Sequence, residues 1–350
     1  MRILILLRDG SRNGITTYNR VLAQALRSQG HTVSIWPQLE APYAVQALQA
    51  MCLHPWSEPV LRHVVGRWGP DLVFVSHYSQ ARLAHRLRET LGIPWFACMH
   101  NGHAPRRMAQ WQGLWRNCSG VITMCQSMFN LYAALADGMD QRVPVCLSRL
   151  PLEMPVGWGP AGYQANQPLT LAYCARLSSQ KGPRCEAWLR AIALLPDAGG
   201  YRIRVIGGGS HLRQLIGVAQ ALGLEAEFTG MVPDPAPYLS DADVLAGAGY
   251  ALMEGLVRGC AGVGLGFGGC WGAVSRDRLA DAQDVNFGDH MPHQLPSDPE
   301  VIAQALSDAI ALRRSGEAAE VGRLCKDWFD PHRVALQLVD FWSARLPGRH

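Results

Sequence analysis

Lysine is almost absent from this 350-residue chain, which contains 30 arginines but only two lysines, Lys181 and Lys326. No apolar run reaches the ~18 residues that a membrane-spanning helix requires. None of the ten cysteines belongs to a Cys-x-x-Cys pair, which argues against a structural zinc site or a disulfide framework. Since 48% of the residues are hydrophobic and 17% charged, we expect a globular cytoplasmic protein with reduced, buried thiols.

Signals for nucleic-acid binding are also missing, because the chain has no lysine-rich basic helix, no zinc pattern and no aromatic ribonucleoprotein motif. The charge is nevertheless uneven: residues 1–165 have a net charge of +7 and residues 166–350 a net charge of −3. The basic half favours an anionic partner such as a membrane surface, a lipid-phosphate acceptor or an acidic glycan. The first ten residues, MRILILLRDG, favour a strand over a signal peptide.

Short apolar runs alternate with segments of helical periodicity in both halves of the chain. This alternation predicts parallel sheets built from βαβ units. The predicted strands are 2–7, 32–36, 71–76, 95–99, 120–124 and 143–146 in the first half, and 169–174, 201–206, 226–229, 244–246 and 262–265 in the second. The stretch 157–168 is rich in glycine, proline and small polar residues and predicts a linker between two doubly wound domains.

The segment LTLAYCARLSSQKGP, residues 169–183, places two cations just after a predicted buried strand. Arg176 can bind phosphate oxygens bidentately, and Lys181 adds a mobile point charge. Open α/β sheets bind ligands beyond the carboxyl ends of their strands. The segment therefore indicates a diphosphate site, with a solvated basic loop as the alternative.

The order of these features resembles the retaining glycosyltransferases of the GT-B fold, and the resemblance covers nearly the whole chain. It rests on a glycine loop after the first strand, on the Arg176 and Lys181 pair, on the motifs IGGGSHL and FTGMVPD, and on a glutamate that opens a helix. The resemblance implies an α/β protein with two Rossmann-like domains facing across a cleft. It implies an acceptor-binding domain at 1–160, a donor-binding domain at 161–330, and a C-terminal helix in 331–350 that crosses back to the first domain.

The resemblance also implies roles for individual residues. Arg176 and Lys181 match the pair that stabilises the departing diphosphate, and His100 matches a cleft histidine that contacts the transferred sugar or supports the acceptor. Glu254 matches the glutamate that accepts hydrogen bonds from the ribose hydroxyls, with a helix-capping role as the alternative. The remaining implied donor-binding residues are Gly14, Gly207, Gly208, Gly230, Met231, Val232, Gly249 and Tyr250. His103 and Asn13 are candidates on the acceptor side.

The sequence departs from the family at one position. The family has two glutamates separated by seven residues, but Ala246 stands where the first would be. The missing glutamate ordinarily contacts hydroxyls of the transferred sugar, and we expect the segment FGGCWGAV, residues 267–274, to form a flexible loop that compensates in part. The overlapping GLGFGG, residues 264–269, is a weak dinucleotide fingerprint because no helix follows it.

Two further motifs admit a functional and a structural interpretation. In APRRMAQWQGLWRN, residues 104–117, Trp111 and Trp115 share one helical face, which favours either membrane docking or core packing, with core packing preferred. Asp241 and Asp243 form an Asp-x-Asp pair, and helix-end capping is preferred over metal binding.

The implied activity is transfer of a sugar from a UDP- or GDP-linked donor to an acceptor hydroxyl, with retention of configuration and without a metal or other cofactor. The implied partners are the nucleotide sugar and a glycan, lipid-linked or small-molecule acceptor, with peripheral contact at the inner membrane face as an extension. Three alternatives stay open: a GT-B protein that binds nucleotide or glycan without transfer, a GT-B nucleotide-sugar epimerase, and a Rossmann oxidoreductase.

Overall fold

The computed structural model describes residues 1–9, 13–39, 58–155 and 167–347. The chain divides into two compact units, the first formed by Met1–Leu152 with Phe329–His350 and the second by Glu153–Trp328. Most of the predicted linker, 157–168, lies outside the described residues.

The first unit contains a parallel sheet with the strand order β2-β1-β3-β4-β5-β6, built from six strands in the described residues. The strands are β1 Arg2–Asp9, β2 Thr32–Leu39, β3 Leu72–Val75, β4 Trp95–Met99, β5 Gly120–Thr123 and β6 Val145–Leu147. The helices between them are α1 Gly14–Ser28, α2 Glu58–Trp68, α3 Tyr78–Leu91, α4 Pro105–Trp115 and α5 Gln126–Asp137. Because β3, β4 and β5 are buried along their whole length, they read as continuous apolar runs in the sequence.

The second unit contains a sheet of six strands within the described residues, in the order β12-β11-β10-β7-β8-β9. Its strands are β7 Thr170–Cys174, β8 Arg202–Ile206, β9 Ala226–Phe228, β10 Val244–Gly247, β11 Ala261–Gly266 and β12 Gly269–Ala273. Its α-helices are α6 Gly182–Ile192, α7 Leu212–Ala221, α8 Ala236–Ser240, α9 Gly249–Leu256, α10 Leu279–Asp284, α11 Pro299–Ser315 and α12 Glu317–Trp328. Short 3₁₀ turns occur at Ala198–Gly200 and Asn286–Gly288.

The prediction of a flexible loop over 267–274 is wrong. Residues Gly269–Ala273 form β12, which pairs antiparallel with β11. Glycine and a bulge break the alternation by which a strand is ordinarily recognised, because Gly269 and Gly272 adopt φ values of +109° and +107°.

In both sheets the first strand of the unit lies inside the sheet, so the direction of winding reverses beside it. The reversal falls between β1 and β3 in the first sheet and between β7 and β10 in the second. Such reversal points are where open α/β sheets form ligand crevices at the carboxyl ends of their strands.

The last helix, α13 Pro331–Ser343, packs within the first unit. Trp342 is fully buried, and its ring lies 5.5 Å from Phe74 and 6.2 Å from Phe96. Phe341 packs over β5 at Gly120, where the ring would collide with any larger residue. The amphipathic pattern at 331–345 thus has its apolar face against the sheet of the first unit.

Candidate functional site

The loops after β7, β8 and β9 interlock at the carboxyl edge of the second sheet. Gly207 has φ +128°, and a Cβ there would lie only 2.1 Å from the Ala175 carbonyl oxygen. A Cβ at Gly208 would lie 2.9 Å from the Met231 amide nitrogen, and Gly207 forms an isolated bridge with Gly230. Glycine is required because the three loops approach one another through their backbones. The structure therefore brings together the implied donor residues that follow β7, β8 and β9.

Met231 and Val232 lie in the loop after β9. The Met231 side chain is 64% exposed, an unusual state for a large apolar residue, whereas Val232 is half-buried. This edge thus offers backbone groups beside an open apolar surface.

Arg176 and Lys181 both lie in the loop between β7 and α6. Arg176 is exposed, and its guanidinium makes no hydrogen bond or ion pair with any of the described residues. Lys181 occupies the N-cap position of α6, and its own carbonyl accepts a hydrogen bond of 3.1 Å from the Tyr173 hydroxyl. The two cations thus differ, because Arg176 projects into solvent and Lys181 is partly enclosed.

Two residues that the sequence did not single out surround the Lys181 ammonium. Its Nζ lies 3.4 Å from Asp289 Oδ2 and 4.7 Å from the centre of the Phe267 ring. Phe267 also donates its backbone N–H to Asp289 Oδ1 at 3.1 Å, while its carbonyl accepts a hydrogen bond from Arg184 at 3.2 Å. A carboxylate and an aromatic face therefore hold the lysine at the carboxyl edge of the sheet.

Asp289 is presented by a turn of unusual backbone conformation. Asn286, Phe287 and Gly288 have φ values of +50°, +58° and +96°. The turn packs directly on β11, since a Cβ at Gly266 would lie 2.4 Å from the Gly288 carbonyl carbon. The glycines of GLGFGG therefore make room for this turn and for the β11–β12 hairpin, which explains them without a dinucleotide.

Glu254 lies in the second turn of α9, whose first turn contains no acidic residue, so the first-turn capping alternative is wrong. The Glu254 carboxylate lies close enough to Cys174, the last residue of β7, to affect the pKa of its thiol. The pKa of the Cys174 thiol is raised to about 12, chiefly by burial and in part by the Glu254 carboxylate, while the Lys181 ammonium acts to lower it. Glu254 and Lys181 therefore both exert an electrostatic effect at the carboxyl end of β7.

Ala246 is the residue that stands where the family pattern has its first glutamate. Ala246 is fully buried inside β10, where it pairs with Val263 and Tyr173. Only Ala248 separates β10 from α9, so counting eight residues back from Glu254 reaches a strand and not a loop. A glutamate at position 246 would therefore place a charge in the core of the sheet.

Gly249 begins α9 with φ +58° and is buried, and Tyr250 beside it is half-buried. A Cβ at Gly249 would lie 3.4 Å from Asp289 Oδ2. The carboxylate that contacts Lys181 therefore also lies against the N-terminal end of α9.

In the first unit, Asn13 caps α1, because its Oδ1 accepts hydrogen bonds from the Ile15 and Thr16 amides at 2.9 and 3.0 Å. Gly14 is the exposed first residue of the helix. Residues 10–12 of the glycine loop lie outside the described residues. Asn13 thus has a clear structural task at the carboxyl edge of β1.

His100 follows β4 at the same edge. Its Nε2 lies 3.1 Å from Ser76 Oγ, which also accepts a hydrogen bond of 3.3 Å from Asn19 Nδ2. The Tyr18 ring meets the imidazole edge-on at 5.0 Å. The half-buried imidazole is thus held by Ser76, the residue after β3, and by the Tyr18 ring of α1.

His103 is exposed and stacks on Trp111, with the two ring centres 6.3 Å apart. Burial lowers the pKa of His103, and the nearby Arg107 guanidinium lowers this pKa further. Trp111 and Trp115 are each only 1% exposed, so the core-packing interpretation is confirmed and membrane docking through this pair is wrong.

Asp241 and Asp243 form separate ion pairs, Asp241 with Arg204 at 2.8 Å and Asp243 with the buried Arg313 at 2.9 Å. Among the described residues, no group of three or more His, Cys, Asp or Glu is arranged for a metal ion. The described cysteines form no disulfide with one another, and each is buried or half-buried. No helix in the described part of the chain is both long and apolar enough to cross a membrane.

Asp289, Phe267 and Arg184 were missed because nothing local marks them as partners of the lysine. Asp289 lies 108 residues from Lys181 in sequence. The one available signal was the NFGD segment, residues 286–289, whose Asn and Gly favour a turn with positive φ.

This architecture defines the chain as a protein of the GT-B fold. HepE of Anabaena, solved in complex with UDP, superposes with a TM-score of 0.75 at 13% identity, covering 98% of this chain and 100% of HepE. Sucrose-phosphate synthase of Thermosynechococcus elongatus gives a TM-score of 0.72 at 17% identity and 98% coverage of both chains. The lipopolysaccharide outer core galactosyltransferase WaaB gives 0.69 at 13% identity, covering 99% of this chain and 100% of WaaB.

At these identities the likeness establishes the fold and not the activity. The sequence matches no family model and no curated protein.

Proposed function

We propose that this protein transfers a sugar from a nucleotide-diphosphate sugar to an acceptor hydroxyl, with retention of the anomeric configuration and without a metal ion. The observation that supports it most directly is the Lys181 ammonium, held 3.4 Å from Asp289 at the carboxyl edge of β7, next to the winding reversal. Arg176 on the same loop keeps its guanidinium free of the described residues.

In the proposed step, the bond between the sugar C1 and the diphosphate oxygen breaks, and a bond between C1 and the acceptor oxygen forms on the same face. The acceptor proton passes to the departing phosphate oxygen. The negative charge on the diphosphate grows as the bond breaks, so Arg176 and Lys181 lower the barrier by electrostatic stabilisation.

The proposed donor pocket is built from backbone and one carboxylate. Gly207, Gly208 and Gly230 bring three loop backbones together, and exposed Met231 adds an apolar surface beside them for the nucleoside. We assign the ribose hydroxyls to Glu254, because a carboxylate accepts two hydroxyl donors. Solved neighbours of the same fold support this choice of donor, since HepE was solved with UDP and with UDP-glucose.

We assign the acceptor to the first unit, where His100, His103 and Asn13 follow β4 and β1. The acceptor is a glycan, a lipid-linked sugar or a small molecule, and the positive charge of residues 1–165 favours an anionic one. The same positive charge supports a cytoplasmic location in which the protein attaches peripherally to the inner face of the membrane.

Calorimetry with UDP and GDP tests donor binding, and NAD(H) serves as the negative control. The nucleotide that binds then selects the sugar donors for a hydrolysis assay with and without EDTA. We expect hydrolysis to persist in EDTA and proton NMR to show that the first sugar anomer released keeps the donor configuration. Failure of the protein to bind either nucleotide would contradict the proposal.

A second candidate is a GT-B protein that binds nucleotide without transfer. The buried Ala246 of β10 supports it, because this residue stands where the family pattern has its first glutamate. Binding of UDP or GDP without hydrolysis or transfer of any matching donor would support this candidate.

A further inference from the structure

We propose that Asp289 is a positioning residue that holds the Lys181 ammonium in place for the departing diphosphate, an inference that rests on the proposed function. The carboxylate comes from the turn after α10, far along the chain from the loop that presents the lysine. Its effect on the reaction would pass entirely through the lysine.

The Lys181 ammonium and its carboxylate partner are both sheltered. Their side chains are 22% and 10% exposed, and Nζ lies 3.4 Å from Oδ2. The Phe267 ring covers the same ammonium at 4.7 Å. A lysine side chain has four rotatable bonds, so such contacts reduce the conformations that must be lost when a ligand binds.

Asp289 itself has little freedom to move. Its second oxygen, Oδ1, accepts the Phe267 N–H at 3.1 Å, and the Phe267 carbonyl is bonded to Arg184. The preceding turn presses on Gly266 of β11 through its backbone. The carboxylate therefore acts as a fixed point for a flexible cation.

This arrangement has a cost for an anionic ligand. A carboxylate close to the predicted diphosphate site repels the nucleotide, and it occupies one of the three donors of the ammonium. The remaining two donors stay available for phosphate oxygens. The carboxylate thus weakens ground-state binding while it orients the charge that the leaving group needs.

The variant Asp289→Asn separates these two effects. The amide keeps Oδ1 as an acceptor for Phe267 but removes the charge. We expect turnover to fall about ten- to hundredfold, because the ammonium loses its orientation. We expect the dissociation constant for UDP or GDP, whichever the wild type binds, to fall by about threefold or more, because a repulsive charge is gone.

The scarcity of lysine allows a readout that does not depend on activity. A protein labelled with ¹⁵N-lysine gives two side-chain ammonium signals, and the variant Lys326→Arg identifies the one from Lys181. We expect Asp289→Asn to move the Lys181 signal and leave the Lys326 signal in place. Titration with UDP or GDP should move the Lys181 signal in both proteins.

Glu186→Gln is the matched control, because Glu186 is paired with Arg190 at 2.9 Å on the surface of α6. It should change neither the Lys181 signal, nor turnover, nor nucleotide affinity. Thermal unfolding of every variant shows whether Asp289→Asn merely destabilises the unit. The conservative variant Asp289→Glu should recover part of the lost turnover.

Several outcomes would overturn the positioning role. An unchanged Lys181 signal in Asp289→Asn is one, and tighter nucleotide binding with full turnover is another, since the carboxylate would then only block the site. If Asp289→Asn lost affinity for the intact nucleotide sugar but not for the nucleotide alone, the carboxylate would instead be assigned to binding of the sugar. If the wild type binds neither nucleotide, the proposed function fails and this inference fails with it. If the wild type binds nucleotide and transfers the sugar, a negative result with the variants contradicts only the role of Asp289.

Discussion

The carboxyl edges of the two sheets are built in different ways. In the second unit the loops meet through backbone, with Gly207, Gly208 and Gly230 in close contact, and the Lys181 ammonium is held there by a carboxylate and an aromatic ring. In the first unit the edge is held by side chains, where His100 and Asn19 both contact Ser76.

The difference is consistent with the proposed division between donor recognition and acceptor recognition. Backbone groups in fixed loops suit a ligand with invariant parts, such as a nucleotide diphosphate, because their geometry does not depend on side-chain rotamers. Side chains at the first edge can be replaced without rebuilding the backbone, which suits a partner that differs between related enzymes. The predictions below test each half of this comparison.

The largest effect is expected from Lys181→Ala. Loss of a cation that stabilises the leaving group should lower transfer by about 100-fold or more without unfolding the protein, and Arg176→Ala should act in the same direction. Lys326→Ala, at the only other lysine, is the control and should retain full activity. Turnover near the wild-type value in Lys181→Ala would refute the diphosphate assignment.

The backbone contacts of the second edge can be tested with Gly207→Ala. The new methyl group would meet the Ala175 carbonyl at 2.1 Å, so we expect the free energy of unfolding to fall by about 2–4 kcal/mol. Gly217→Ala in α7 has open space around it and should stabilise the protein by about 0.5–1 kcal/mol. Chemical denaturation compares the two, and equal stabilities would contradict the close packing of the loops.

Glu254→Ala tests the single carboxylate assigned to the ribose. We expect nucleotide affinity to weaken by about 1–3 kcal/mol, since two hydroxyl donors lose an ionised acceptor. Calorimetry with the nucleoside diphosphate measures this loss, and the 2′,3′-dideoxy nucleotide should bind both proteins alike. If affinity for the parent nucleotide is unchanged, Glu254 has only a structural role.

His100→Ala tests the first edge in isolation. We expect transfer to fall by about tenfold, while the dissociation constant of the nucleotide stays at the wild-type value. Ser76→Ala should show a smaller loss, because it removes only one partner of the imidazole. A parallel loss of nucleotide affinity in His100→Ala would show that the two edges do not divide the work as proposed.

The smallest effect concerns His103. Burial and Arg107 both disfavour its protonated form, so its pKa lies below the ordinary histidine value. An NMR titration of the imidazole measures this, and Arg107→Ala should raise the pKa part of the way back. A pKa that does not respond would remove Arg107 as a cause.

The strands of both units were largely predictable, because β3, β4, β5 and β7 are buried throughout and appear as uninterrupted apolar runs. β12 was not, since its glycines remove the alternation that marks a strand. A fully buried strand produces an apolar run that can be recognised locally in the sequence. A glycine that is needed for backbone contact within a strand cannot be told from a glycine in a loop.

The candidate site divides in the same way. Arg176 and Lys181 were singled out because they follow a recognisable strand, and Glu254 because of the family resemblance, and their binding roles stay predictions. Asp289 was not predicted, because its contact with Lys181 depends on the path that the chain takes after β12. That Ala246 stands in place of the first glutamate of the family pattern stays a prediction, and the structure adds that Ala246 is fully buried within β10.

The first unit is assembled from two stretches of chain, 1–152 and 329–350, and Trp342 completes its core. During synthesis this unit therefore stays incomplete until α13 has left the ribosome, while every residue of the second unit has already been made. Removal of α13 would accordingly leave Phe74 and Phe96 without a cover, so a truncation near the C-terminus would damage the half of the protein that begins at the N-terminus.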